Sequence, residues 1–247
     1  MSTQKTVLVV GGTGRTGLHL LQQLLGRGLR VRAILRSRGK LPPHLVSDPN
    51  LTVIEASIFS LRDEELAQHL LGCDAVLSCL GHVLTFAGIF GAPRDLVSRA
   101  TARICRGIEA LRPPSPVAFI LMGSVSVNGP PGLDTRRGAL QRALLSVIRA
   151  LVPPARDNQR AADFLIEQLG PENAFVHWVA LRPDTLLSGE VSDYTLHEGI
   201  VDSLFKPGST HMANVAHFMC ELVTNPTTLA RWRSKLPVIV DAPSKAQ

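Results

Sequence analysis

The sequence predicts an α/β protein whose parallel sheet is doubly wound, with helices on both faces, in a single domain over residues 1–247. Three observations carry this. The all-apolar run Val7-Leu8-Val9-Val10 leads into Gly11-Gly12-Thr13-Gly14-Arg15-Thr16-Gly17 and then into the amphipathic stretch Leu18-His19-Leu20-Leu21-Gln22-Gln23-Leu24-Leu25. Apolar, β-branched runs then alternate along the chain with helical patterns, the order that winds a parallel sheet. No repeat, low-complexity tract or shift of composition divides the chain, and its length suffices to bury one large core.

The first strand is the run ending at Val10, and the leucines after Gly17 recur at helical spacing, predicting a helix over 15–27. Strand-length runs follow at 31–35, 51–54, 75–78, 117–121, 175–180 and 238–240, with helical patterns between them near 61–70, 94–110, 140–151 and 158–169. Asp157, just before Asn158-Gln159-Arg160, reads as the N-cap of the last of these helices. Pro113-Pro114-Ser115-Pro116 and Pro130-Pro131-Gly132 mark loops. Periodicity weakens over 188–212, where a small substrate-side cap is expected.

Composition narrows the function. A chain that is 45% hydrophobic and 19% charged folds and is not disordered. Its longest apolar runs are strand length, and no secretory pattern stands near Met1, so neither a membrane span nor a signal segment is expected. Cys73, Cys79, Cys105 and Cys220 are scattered and the histidines do not cluster, which predicts reduced thiols in a cytoplasmic domain and no metal site. The formal charge of +6 raises nucleic acid as a partner, but the aromatic content is 4% and Arg27, Arg30, Arg32, Arg36, Arg38 and Lys40 crowd into one short region. A helix face or stripe would be needed, so a small molecule is the expected partner and nucleic acid is not. Either a monomer or a homodimer fits.

A buried strand, a glycine turn and a helix start in that order form a phosphate cradle. Gly11 or Gly12 lets the chain turn off the strand, Gly14 lets backbone N–H groups approach a pyrophosphate, and Gly17 lets the helix pack close to the sheet. Thr13, Arg15 and Thr16 belong to the same loop, with Arg15 adding positive potential. The end of the second strand then selects the nucleotide. A carboxylate there would accept from a ribose hydroxyl, whereas this chain has Arg36, with Arg38 and Lys40 two and four residues on. A guanidinium holds a 2′-phosphate through charge-assisted hydrogen bonds, so NADP(H) is the expected coenzyme. Arg38 and Lys40 fit equally well as solvated loop residues.

Taken together, these residues resemble the atypical short-chain dehydrogenase/reductase family, in its NmrA-like and biliverdin-reductase-B-like NAD(P)H-binding branch. The resemblance covers nearly the whole chain and implies a Rossmann-like fold. Residues 7–17 look like the family's strand and glycine loop, and Val31-Arg32-Ala33-Ile34-Leu35-Arg36 is similar to its second strand with a basic end. Ser57-Ile58 falls where the family flanks the adenine, although Asp is commoner than Ser57. Asp74-Ala75-Val76-Leu77-Ser78-Cys79-Leu80-Gly81 resembles its fourth strand and the turn lining the coenzyme ribose, which assigns Cys79, Leu80 and Gly81 to the site. Leu181-Arg182-Pro183-Asp184 resembles the Arg-Pro-Gly loop over the nicotinamide, with Pro183 in the site and Asp184 replacing the usual glycine.

The chain departs from the family in its acid–base chemistry. Typical members pair a tyrosine with a lysine four residues on, so that the phenol exchanges a proton with the substrate. The only tyrosine here is Tyr194, followed four residues later by Glu198 and lying past the expected helix. Ser124 follows the fifth strand at the position of the family's substrate-side serine, where it either polarises a carbonyl or flavin-like ring or bonds to nearby backbone. By strand alternation Ser126 would point the same way. His82 is either a proton relay near neutral pH or a loop histidine held by one backbone bond, the simpler account. Arg160 and Arg156 stand where the lysine is missing and suit a ribose hydroxyl or an acidic substrate.

The apolar stretch from Val83 to Pro93 is either a substrate wall or a packing segment. The expected function is therefore an NADPH-dependent reductase of a small flavin-, quinone- or carbonyl-type acceptor, acting without a Tyr-Lys pair. A non-catalytic NADP(H) sensor and a repurposed isomerase or cyclase are the alternatives.

Overall fold

A computed structural model describes residues 4–82, 91, 93–203 and 205–242. The strands are β1 (Thr6–Val10), β2 (Arg30–Leu35), β3 (Leu51–Glu55), β4 (Ala75–Ser78), β5 (Val117–Met122), β6 (Val176–Pro183), β7 (Thr185–Leu187), β8 (Tyr194–His197), β9 (Ser209–His211) and β10 (Val238–Asp241). The helices are α1 (Arg15–Gly26), α2 (Pro43–Val46), α3 (Asp63–Leu70), α4 (Leu96–Leu111), α5 (Ala139–Leu151), α6 (Pro153–Asp163), α7 (Met212–Thr224) and α8 (Pro226–Trp232). Eight strands form one sheet in the order β3-β2-β1-β4-β5-β6-β10-β8, parallel except for β8 against β10.

Alternation along each strand sorts the core into two layers. Val7 and Val9 of β1, Ala33 of β2 and Leu77 of β4 pack with Leu20, Leu21 and Leu24 of α1 and with Val215, Phe218 and Met219 of α7. Leu8 and Val10 of β1, Ile34 of β2 and Val76 of β4 pack with Leu66 of α3, Val97 and Ile104 of α4, and Leu165. The seven expected strands are therefore present, and burial on both faces explains the nearly unbroken apolar runs of the inner strands such as β1, β4 and β5.

One reading is corrected. The helix expected from residue 158 starts at Pro153, whose ring suits a first helical turn, so Asp157 lies inside α6 and caps nothing at its own helix's start. Beyond Asp163 the same helix winds wider over Phe164–Leu169, and Gly170 N–H reaches the Leu165 carbonyl at 3.1 Å. Within residues 188–212, β8 joins the main sheet as its edge, while β9 pairs with β7 beyond the C-terminal end of β6. Of the apolar stretch 83–93, only Gly91 and Pro93 fall within the described residues.

Candidate functional site

The chain leaves β1 through a turn that only glycine fits. Gly11 has φ +78°, and a Cβ there would sit 2.5 Å from the Cys79 carbonyl carbon and oxygen. At Gly17 a Cβ would sit 2.2 Å from the Gly11 carbonyl oxygen, so its absence sets how closely α1 approaches the turn. Gly14 N–H closes the loop onto that same oxygen at 3.0 Å. Gly14 itself is the N-cap of α1; it brings no side chain to cap the helix, and the first turn holds no acidic residue. The N–H groups of this helix start point outward as a ready anion site.

Beside the turn, at the C-terminal ends of β1, β2 and β4, opens a cavity of about 330 Å³. Among the sequence-predicted coenzyme residues, Gly11, Thr13, Gly14, Arg36, Ser57, Ile58, Cys79, Leu80 and Gly81 line it. Lys40 lines it in place of Arg38, which is exposed in the adjoining turn. Thr16 and Gly17 are buried in the first turn of α1, Arg15 is exposed there, and Pro183 is buried at the end of β6 outside this wall. Ile58 is buried, and Ser57 accepts from Phe59 N–H at 3.3 Å within its own turn. Burial pushes the Cys79 thiol up to about 12, so it lines the cavity as a neutral group. Among the described residues no carboxylate lines the cavity.

A larger cavity, about 540 Å³, lies at the opposite ends of the strands, walled in part by Leu70, Ala75, Val117 and Leu222. Parallel sheets present their ligands to the C-terminal ends of strands, so the smaller cavity is the candidate site.

Packing divides the six crowded basic residues. Arg27 pairs with Glu221 at 2.8 Å, and Arg30 donates to Gln4 Oε1 at 2.7 Å. Arg32 donates to the carbonyls of His69 (2.7 Å) and Leu71 (2.8 Å), which closes the C-terminal end of α3. Arg36, Arg38 and Lys40 are exposed, and among the described residues no side-chain hydrogen bond engages them.

The catalytic candidates stand on different elements. The strand before Ser124 ends at Met122, so Ser124 and Ser126 lie in a turn where strand alternation does not apply. Ser124 Oγ accepts from Ser126 N–H at 3.2 Å, which leaves its own hydrogen to donate. Arg160 is on the exposed face of α6 and lines a surface groove with Arg156. Tyr194 lies at the far edge of the sheet, where its hydroxyl meets His217 Nδ1 at 2.9 Å. Burial, then the Glu221 charge, pushes its phenol up to about 12.

His82 is held more firmly than a loop residue, with Nε2 2.9 Å from Asp157 Oδ2 and both side chains buried. Asp157 also accepts from the N–H groups of Val97 (2.7 Å) and Ser98 (3.0 Å) and from the Ser98 hydroxyl (2.5 Å). It therefore caps α4 from inside α6, while Asp95, the N-cap of α4 by position, makes no side-chain cap. A carboxylate only accepts, so Nε2 of His82 carries the hydrogen of this contact.

Arg182 was legible only as part of a loop motif; it is buried within β6. It donates to the carbonyls of Leu236 (2.9 Å), Val127 (3.2 Å) and Glu198 (3.1 Å) and pairs with Asp134 at 2.8 Å. Burial pushes the Asp134 carboxyl up, but the Arg182 hydrogen bond and charge, with N–H donation from Gly129 and Ile200, outweigh it and hold it below its ordinary value. Asp184, in the place of the usual glycine, is raised by burial despite N–H donation from Gly208 and Thr185.

Known proteins bear on the fold and the family. An uncharacterized chloroplastic protein of Arabidopsis thaliana is 33% identical over 127 residues, 51% of this chain and 43% of that protein. The chain spans less than half the length of the curated relatives that it matches. A Streptococcus pneumoniae protein provisionally assigned as an NADH-flavin reductase has the same fold, with a TM-score of 0.66 at 16% identity over 96% of this chain and 100% of that one. So does a Veillonella parvula short-chain dehydrogenase/reductase solved with NADP, with a TM-score of 0.67 at 15% identity over 98% and 97% of the two chains. A sequence model of NAD(P)H-binding proteins matches residues 11–226, which takes in the glycine turn and the sheet from β2 to β9 but neither β1 nor β10. The chain belongs to this NAD(P)H-binding family, as its resemblance to atypical short-chain dehydrogenases/reductases implied.

Proposed function

We propose that the protein is an NADPH-dependent reductase of a small flavin-, quinone- or carbonyl-type acceptor. The observation that carries this is the pairing of an uncapped α1 start with a cavity rim bearing Arg36 and Lys40 and, among the described residues, no carboxylate. The α1 N–H groups hold the diphosphate, and Arg36 with Lys40 binds the 2′-phosphate, with Arg38 adding positive potential. Ser57 and Ile58 flank the adenine, Leu80 and Gly81 the ribose, and Pro183 the nicotinamide side. NADPH supplies the two-electron reduction when bound.

Ser124 orients the acceptor through its free O–H, and His82, fixed by Asp157 and following Gly81 of the cavity wall, is the imidazole assigned to move a proton. Tyr194 takes no part, at the other edge of the sheet and with a phenol that holds its proton. Without a strong acid, the chemistry favours acceptors whose reduced forms are stabilised anions over ketones, whose alkoxides need a donor. Arg160 is assigned no step. The distance of Tyr194 equally favours a second reading, an NADP(H) sensor without turnover.

Titrating NADPH and NADH into the native chain and the Arg36→Glu chain, then following NADPH oxidation across flavins, quinones and simple ketones, tests both. The expected result is roughly a tenfold or greater loss of NADPH affinity in Arg36→Glu with NADH nearly unchanged, and turnover fastest with flavins or quinones. Equal losses for both nucleotides would remove Arg36 from its role. Tight NADPH binding without turnover would leave the sensor.

A further inference from the structure

The helix α5 is turned outward. Among its apolar side chains only Leu145 is buried, while Leu140 (72% exposed), Leu144 (40%), Val147 (53%) and Leu151 (68%) stand in water. Their spacing of four, three and four residues aligns them in one stripe along the helix. A run of large apolar groups left uncovered on this scale marks a contact surface.

The chemistry around the stripe names the partner. Residues 136–160 contain six arginines and one acidic residue, Asp157, which is buried under α4. Arg136, Arg142, Arg156 and Arg160 are exposed. At the helix's C-terminal end, Leu151 borders the groove lined by Arg156 and Arg160. Near its N-terminal end, Gln141 donates to Ser203 Oγ at 3.2 Å, which ties in a turn carrying Phe205, 67% exposed, and the exposed Lys206. Apolar groups edged by cations are what an interfacial helix presents to anionic headgroups. A second copy fits less well, because a twofold contact through this stripe would bring the same arginines face to face.

We propose that α5 and the Phe205 turn dock this protein peripherally on an anionic lipid surface, with the leucine stripe among the acyl chains and the arginines at the phosphates. No helix among the described residues is long and apolar enough to cross a membrane, so the contact is with the surface alone.

Sedimentation of the full chain with vesicles of phosphatidylcholine, with and without phosphatidylglycerol, tests this. Binding is expected only with phosphatidylglycerol present, and it should weaken as salt screens the arginines. Leu144→Glu with Val147→Glu, and separately Arg142→Glu, should each cut binding by about tenfold or more while leaving the thermal unfolding midpoint near that of the native chain. Arg142→Glu changes an exposed side chain and keeps the test valid if the double variant folds poorly. No binding to phosphatidylglycerol vesicles, or equal binding to both compositions, overturns the proposal. So does a dimer in light scattering that the double variant dissociates, since the stripe would then be a contact between copies.

Discussion

A carboxylate buried inside one helix survives there only because another helix begins in front of it. Asp157 receives two backbone N–H groups and a hydroxyl from the first turn of α4, and it fixes the His82 ring as well. Removing it leaves these donors buried without a partner, the costly side of the hydrogen-bond balance. Asp157→Ala should therefore lower unfolding stability by about 2–4 kcal/mol, read from urea midpoints, and free the His82 ring. A loss below about 1 kcal/mol would mean water replaces the carboxylate. Sequence could not show this, because the capped N–H groups lie sixty residues away in the chain. The glycine turn was legible because its geometry is local: Gly11 and Gly17 meet backbone that a Cβ would strike. Arg36 was legible by its position at the end of β2, but nothing local separates it from Arg32, which spends its charge closing α3.

Elements joined by one buried cation come next in scale. Arg182 ties β6 to the loop at Val127 and Asp134, to Glu198 after β8, and to Leu236 before β10. Truncating it strands the Asp134 carboxylate, so Arg182→Met should cost about 3–5 kcal/mol. Adding Asp134→Asn should cost less than the sum of the two single changes, a coupling of about 1–3 kcal/mol in a double-mutant cycle. Additive losses would show that the pair acts as two separate anchors. The sign with pH follows from the lowered Asp134 carboxyl. Its contribution is fully present above the ordinary carboxylate value of 3.8 and is lost as pH falls through the lower folded value, and the Arg182→Met chain should lack this acid-side loss. The inner strands of the main sheet were legible because burial on both faces makes them apolar throughout, whereas the edge strand β8, with no fully buried residue, was missed. Burial hid α7: ten of its thirteen residues are buried, so it lacks the polar face on which helical periodicity depends. The three-residue strands β7 and β9 are too short for any period to register.

Across the whole molecule, the proposed coenzyme site lies where both core layers end. Its walls come from the ends of β1 and β2 and from the turns after β1, β2, β3 and β4, so the cavity exists only when the sheet is assembled. A ligand that binds the folded state alone stabilises it by mass action, and the size of the effect depends on concentration relative to affinity. NADPH at a hundred times its dissociation constant should add about 2.7 kcal/mol, which for a chain of this length raises the unfolding midpoint by roughly 5–10 °C. At the same concentration NADH should raise it less, because the exposed Arg36 and Lys40 gain nothing from a ribose hydroxyl that they would gain from a phosphate. In the Arg36→Glu chain that gap should close while a smaller rise with both nucleotides remains, since the α1 cradle does not depend on Arg36. A differential scanning fluorimetry series over nucleotide concentration measures all three rises at once. An unchanged midpoint with both nucleotides would mean that the uncapped α1 start does not hold a diphosphate. A gap surviving in Arg36→Glu would instead assign the phosphate to Lys40 and Arg38.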